Sequence, residues 1–232
     1  MQILFCTPYL KMDILLQNQN FVLVGLFKPA IFDKYFFIKN DFFSESQISD
    51  KSIFMDFQTT VITQSFTITI LPERIMIAAN YPISADSKDL VNIATKFSNI
   101  KIPENVINAI GMNFHWKVKE NKRPITEISR EMLYTDSIPL LKEFFNTNDT
   151  AIGMYLSKDI KGARLRLEIK PAIVRTFDNQ NNPLKEEEFL GWAFNFHKDF
   201  PQNTSQESLF EYINEFDFFK NESQKITSIC KK

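Results

Sequence analysis

Glycine and histidine are scarce in this chain, with 5 Gly and 2 His among 232 residues. Four of the glycines, Gly25, Gly111, Gly153 and Gly191, fall in or beside apolar stretches that read as strands, where glycine marks a bulge or a close backbone approach. Gly162 follows Lys161 in a turn. None is left for a loop that cradles phosphate. No Gly-x-Ser-x-Gly elbow, Walker loop, His-Glu-x-x-His pair or dinucleotide fingerprint occurs. Families built on those motifs are excluded; a site whose residues are dispersed along the chain is not.

Cysteine is as sparse. Cys6 and Cys230 stand near opposite ends, which makes neither a disulfide framework nor a zinc spacing and suits a reducing compartment. Neither has a histidine beside it to activate the thiol. Charge of one sign is lacking too: 27 Lys and Arg against 28 Asp and Glu leave a formal net charge of -1. No global field draws nucleic acid or an anionic membrane, so a nucleic-acid partner is not indicated by charge. The local basic cluster Lys117, Lys119, Lys122 and Arg123 reads as a solvated strand end and loop. No stretch approaches the roughly 18 consecutive apolar residues of a membrane span. The opening MQILFCTPYL lacks the basic start and the apolar length of a signal peptide. The expectation is a cytoplasmic protein with no membrane partner.

What the chain has in excess is phenylalanine, 24 Phe against 6 Tyr and 2 Trp. Phe brings large buried area with no polar handle, which predicts a core built from rings. With Ile, Lys and Asn also frequent, the composition fits an AT-rich bacterial or phage genome.

Period-two alternation dominates the rest. FVLVGLF after Asn20 predicts a strand ending at Lys28-Pro29, and Asp33 to Ser52 reads as a loop over the core. Ile53 to Ile70, dense in β-branched residues, predicts two strands joined near Thr63–Ser65 or one strongly bent strand, and Arg74 to Asn80 returns as another. Ser84 or Asp86 then caps a helix with Leu90, Val91, Ala94 and Phe97 on one face. Glu104 to Lys119 opens the second half as a strand, and Ser137 to Phe145 offers a short helix with Pro139 in its first turn. Two strands follow around Lys161-Gly162, then a loop over Phe177 to Glu188 that ends in Glu186-Glu187-Glu188, and a strand in FLGWAFNFH. Ser205 to about Ser223 predicts a C-terminal helix.

Two short echoes, Ala109-Ile110-Gly111-Met112 with Ala151-Ile152-Gly153-Met154 and Asn113-Phe114-His115 with Asn195-Phe196-His197, suggest a duplicated unit. The fold class is therefore α+β, mostly antiparallel sheet with two main amphipathic helices. The expected halves are residues 1–100 and 101–232, each ending in a helix, either as two lobes or as one continuous domain.

Candidate chemistry is thin. In Arg164-Leu165-Arg166-Leu167-Glu168-Ile169-Lys170 the leucines and Ile169 point one way, and Glu168 and Lys170 the other. With Asp159, Glu168 and Lys170 form the pattern of a metal-dependent nuclease: two carboxylates for Mg²⁺ and a lysine for phosphate charge. The same pattern describes any half-buried strand with a solvated face. His115 and His197 are the only imidazoles and lie near strand ends as candidate binding residues. Phe210, Phe218 and Phe219 widen the apolar stripe of the C-terminal helix, as deep burial or docking on another chain would require. The reading is a non-enzymatic binding or assembly protein of a bacterial or phage multi-protein system, working through a protein partner or self-association, with no cofactor and no metal. The alternatives are the nuclease at Asp159, Glu168 and Lys170, and a small apolar ligand held between the halves.

Overall fold

A computed structural model of the chain describes residues 12–82, 86–100, 106–120, 123–177, 183–201 and 204–229. Cys6, Cys230, Ser84 and Lys122 lie outside those residues. The first half runs β1 (Asp13–Leu26), α1 (Lys34–Lys39), β2 (Ile53–Met55), β3 (Gln58–Ile62), β4 (Phe66–Leu71), β5 (Arg74–Ala79) and α2 (Ser87–Asn99). The second runs β6 (Val106–Lys119), α3 (Ile125–Leu133), α4 (Pro139–Glu143), β7 (Met154–Ile160), β8 (Ala163–Phe177), β9 (Pro183–Asp199), α5 (Gln206–Asn214) and α6 (Phe216–Ser228).

The nine strands among the described residues join one antiparallel sheet in the order β2-β3-β4-β5-β1-β6-β9-β8-β7. The α+β class holds. The two halves meet where β1 pairs with β6 along nearly the whole of both strands. Helices α2, α5 and α6 contact one another and pack on β1, β5, β6 and β9. The inner face under them is apolar at every second position: Phe21 and Leu23 on β1, Ile68 and Ile70 on β4, Phe114 and Trp116 on β6, Phe194 and Phe196 on β9. Phe216 stacks on Phe21 at 4.6 Å and Phe219 lies 4.6 Å from Phe196. A second ring cluster, Phe32, Phe36, Phe37 and Phe42 against Phe97 of α2, closes one end of the first half.

Several local expectations are revised. The stretch after Asp33 is not all loop: the Asp33 carboxylate accepts from the Phe36 N–H at 2.7 Å and caps α1, whose Phe37 is fully buried. Ile53 to Ile70 holds three strands rather than two. Glu186, Glu187 and Glu188 belong to β9, where Arg175 on β8 and Lys117 on β6 supply cations and the Ile125 N–H at the start of α3 donates to Glu188. α3 is an additional helix, and the C-terminal helix is broken at Glu215 into α5 and α6. α4 turns apolar side chains outward, with Leu140 on it and Phe144 just after it both exposed. At the seam, Gly25 is obligatory: a Cβ there would stand 1.7 Å from the Val106 carbonyl oxygen. No helix among the described residues is long and apolar enough to cross a membrane.

Candidate functional site

The face of the sheet opposite the helices is polar and follows the same register. One row across it reads Thr60, Thr69, Met76, Val22, Gly111, His197, Arg164, Asp159. The next includes Ala78, Asn20, Asn113, Asn195 and Arg166, and the one after it Asn18, His115, Ala193, Glu168 and Tyr155. Small residues on β9, Gly191 and Ala193, make a shallow trough between His115 on β6 and Glu168 with Lys170 on β8. His115 and Glu168 flank Ala193, two strand spacings or ~10 Å apart across the trough.

Three central strands carry a chain of side-chain amides. Asn195 donates to Asn113 at 2.7 Å, Asn113 donates to Asn20 at 2.7 Å, and Asn20 donates to Asn18 at 2.8 Å. The chain runs in one direction, and its last member, Asn18, has an amide nitrogen with no acceptor among the described residues. Aligned amides polarise one another, which strengthens that terminal donor.

Gln17 explains why this end of the chain is recessed. Leu16 pairs with Trp116 and Asn18 with His115, so Gln17 is the extra residue of a β-bulge. The bulge switches the parity of β1: Leu15 opposes Lys117 before it and Asn18 opposes His115 after it, both on the outer face. The consecutive residues Gln17 and Asn18 thus line one depression of about 310 Å³ with Tyr81 and His115. Neither the Gln17 amide nor the His115 ring has a hydrogen-bond partner among the described residues. Solvent reaches the His115 ring, yet the partial burial of the trough, and then the Lys170 charge, hold its pKa below the ordinary value.

The sequence candidates separate into three groups. His115, His197, Asp159, Glu168 and Lys170 share the outer face. Glu168 pairs with Lys170 at 3.0 Å, Asp159 with Arg164 at 3.0 Å, and His197 with Asp199 at 3.0 Å. Asp159 and Glu168 do not converge, since Glu168 opposes Tyr155, four residues from Asp159 along β7. Among the described residues no three His, Cys, Asp or Glu side chains gather as a metal site. Phe210, Phe218 and Phe219 lie on the helical side: Phe219 is fully buried, Phe210 is exposed on α5, and Phe218 lies beneath the Lys161 ammonium at 4.5 Å. The basic cluster closes on acids. Glu187 takes both Lys117 and Lys119, and Arg123 is held by Glu120, Glu127 and Glu131.

Gln17, Asn18 and Tyr81 escape a reading of the sequence by motif. Their trace is the parity break in Leu15-Leu16-Gln17-Asn18, where two apolar and two polar residues interrupt strict alternation. No protein-family model, no curated protein and no solved structure matches this chain.

Proposed function

We propose that the protein is a non-enzymatic binding and assembly protein that works through contacts with other protein chains, beginning with a second copy of itself. The observation that carries this is the free edge of the sheet at β7. Its seven residues, Met154–Ile160, are the last strand of the order, and Tyr155 and Leu156 are exposed large side chains on opposite faces of it. An edge of this length presents unpaired N–H and C=O groups that template another strand. An antiparallel pairing of two copies about Ser157 sets Leu156 against Lys158 and Tyr155 against Asp159, with no like charges opposed. The net charge of -1 gives two copies little mutual repulsion.

Beside that edge β8 and β9 run on as a two-stranded ribbon past Ile169, where β7 begins. The ribbon exposes Ile173, Val174 and Phe177. Apolar area of this kind, together with Leu140 on α4 and Phe144 just after it, adds contact surface for an assembly. A finer point belongs to the same reading: the halves are two versions of one unit. Outward from the seam the orders are β1-β5-β4-β3-β2 and β6-β9-β8-β7, so each half sets its first strand at the seam and its last strand next. Each then continues into a helix, α2 or α5.

Sedimentation velocity on the purified chain tests the proposal. The expected result is a concentration-dependent species of twice 27.2 kDa. Leu156→Lys, which opposes two lysines across the two-fold, should shift it to monomer, and adding Lys158→Glu should restore it. A monomer at every concentration would overturn the self-association.

A further inference from the structure

We infer that the outer face of the sheet is a platform for single-stranded nucleic acid, with one base seated in the depression formed by Gln17, Asn18, Tyr81 and His115. The argument rests on what those four side chains offer together. Tyr81 and His115 supply planar rings, on which a base of any identity can stack. Gln17 and Asn18 supply amides, which carry donor and acceptor side by side and match the hydrogen-bonding edge of a base. The bulge at Gln17 is what brings the two amides to the same depression, where regular alternation would send them to opposite faces.

The site is also pre-organised. The amide chain from Asn195 through Asn113 and Asn20 fixes Asn18 as an acceptor on one side and leaves its nitrogen as a donor. The depression is lined by two amides and two aromatic rings, with no carboxylate or ammonium among them, so it suits a neutral heterocycle better than a phosphate. Phosphate would be met further along the trough. Arg166 lies one strand beyond Asn195, has no partner among the described residues, and is flanked on β8 by Arg164 and Glu168. Lys170 follows two residues after Glu168 and is near enough to His115 for its charge to act on the imidazole. From β6 to β8 is ~10 Å, a span that an adjacent nucleotide or two can cover. The near-neutral net charge is compatible with this, because base stacking carries the contact and few phosphates are neutralised.

Fluorescence anisotropy with short fluorescein-labelled oligouridylate and oligoadenylate strands tests the inference, with the wild-type chain titrated at several salt concentrations. Binding is expected at low salt, with log K falling against log salt at a shallow slope of about -0.7, as for one phosphate contact at Arg166, since Arg164 and Lys170 are held by Asp159 and Glu168. Arg166→Ala should flatten that slope by about 0.7. Tyr81→Ala should weaken binding by about tenfold or more without altering the folded structure, because its ring is exposed. Gln17→Ala should change the preference between the two strands. Absence of binding at low salt would overturn the inference. So would binding that Tyr81→Ala and Gln17→Ala leave unchanged, which would reduce it to charge adhesion. Uridine or adenosine monophosphate competing as tightly as the strands would replace the platform by a nucleotide pocket. Leu156→Lys lies on β7, remote from the depression, so the same titration on that variant separates this inference from the assembly reading.

Discussion

Glu187 shows how one residue can decide the character of a surface. Its carboxylate accepts from Lys117, whose side chain is 7 % exposed and rests 4.7 Å over the Phe189 ring, and from Lys119 at 2.9 Å. Those two hydrogen bonds, with the lysine charges behind them, hold the Glu187 carboxyl at about 2 against an ordinary 4.5. A carboxyl depressed in the folded state contributes stability that is complete above its unfolded pKa and is lost as the pH falls through the folded one. The window here runs from about 4.5 down to about 2. Solvent at the carboxylate edge reduces the full linkage value, which leaves ~2 kcal/mol at neutral pH. Urea denaturation at pH 7 and pH 3 should therefore show the wild type losing about 1 kcal/mol more than Glu187→Gln, because pH 3 lies above the folded value and removes only part of the contribution. Glu187→Ala at pH 7 should cost about 3–5 kcal/mol, because it leaves the buried Lys117 ammonium without a partner. Equal pH dependence in wild type and Glu187→Gln would show that the lysines are satisfied elsewhere.

At the scale of elements, the C-terminal helices separate packing from display. Phe216 and Phe219 on α6 are fully buried against Phe21, Phe114 and Phe196, whereas Phe210 on α5 faces solvent. Phe219→Ala should lower stability by about 3–5 kcal/mol, and Phe210→Ala should stay within about 0.5 kcal/mol; thermal denaturation of the two variants makes the comparison. A reversed order would mean that α5 and α6 dock the other way round. The same contrast explains which elements are legible in the sequence. The alternation in Phe66–Leu71 and in Arg164–Lys170 translates directly into inward and outward faces, since one buried side forces a period of two. α1 is obscured because Phe36, Phe37, Phe42 and Phe43 blur its helical periodicity, although Asp33 is a readable N-cap. Glu186 to Glu188 look like loop until Lys117, Lys119 and Arg175 are placed beside them, and those partners are distant in sequence. The depression at Gln17 is obscured for a similar reason: a bulge is a property of pairing with β6 and leaves only a parity break in β1 itself.

At the scale of the whole molecule, the seam between β1 and β6 decides whether the halves behave as one body. Pairing runs from Asp13 with Lys119 to Leu26 with Val106, interrupted only at the two bulges. The core crosses the seam as well, since Phe21 of the first half and Phe114 of the second both pack on Phe216. On the other face the Asn20–Asn113 hydrogen bond spans the same boundary. Separating the halves would expose two long strand edges and the rings behind them, so neither half has a low-cost way to unfold alone. The expected behaviour is a single cooperative transition. Trp116 stands opposite Leu16 of the first half, whereas Trp192 lies on β9 away from the seam, so in a Trp116→Phe background the remaining tryptophan emission reports the second half, while far-ultraviolet circular dichroism reports the strands of both. Urea curves from the two probes should superimpose, with equal midpoints and slopes. A dichroism curve with an added phase in which tryptophan emission does not change would mean that the first half melts independently and that the seam is only a contact between two domains. Asn113→Leu sharpens the comparison, because it cuts the amide chain while keeping the backbone pairing. The midpoint should fall in both probes together, and a shift in fluorescence alone would confine the coupling to the second half.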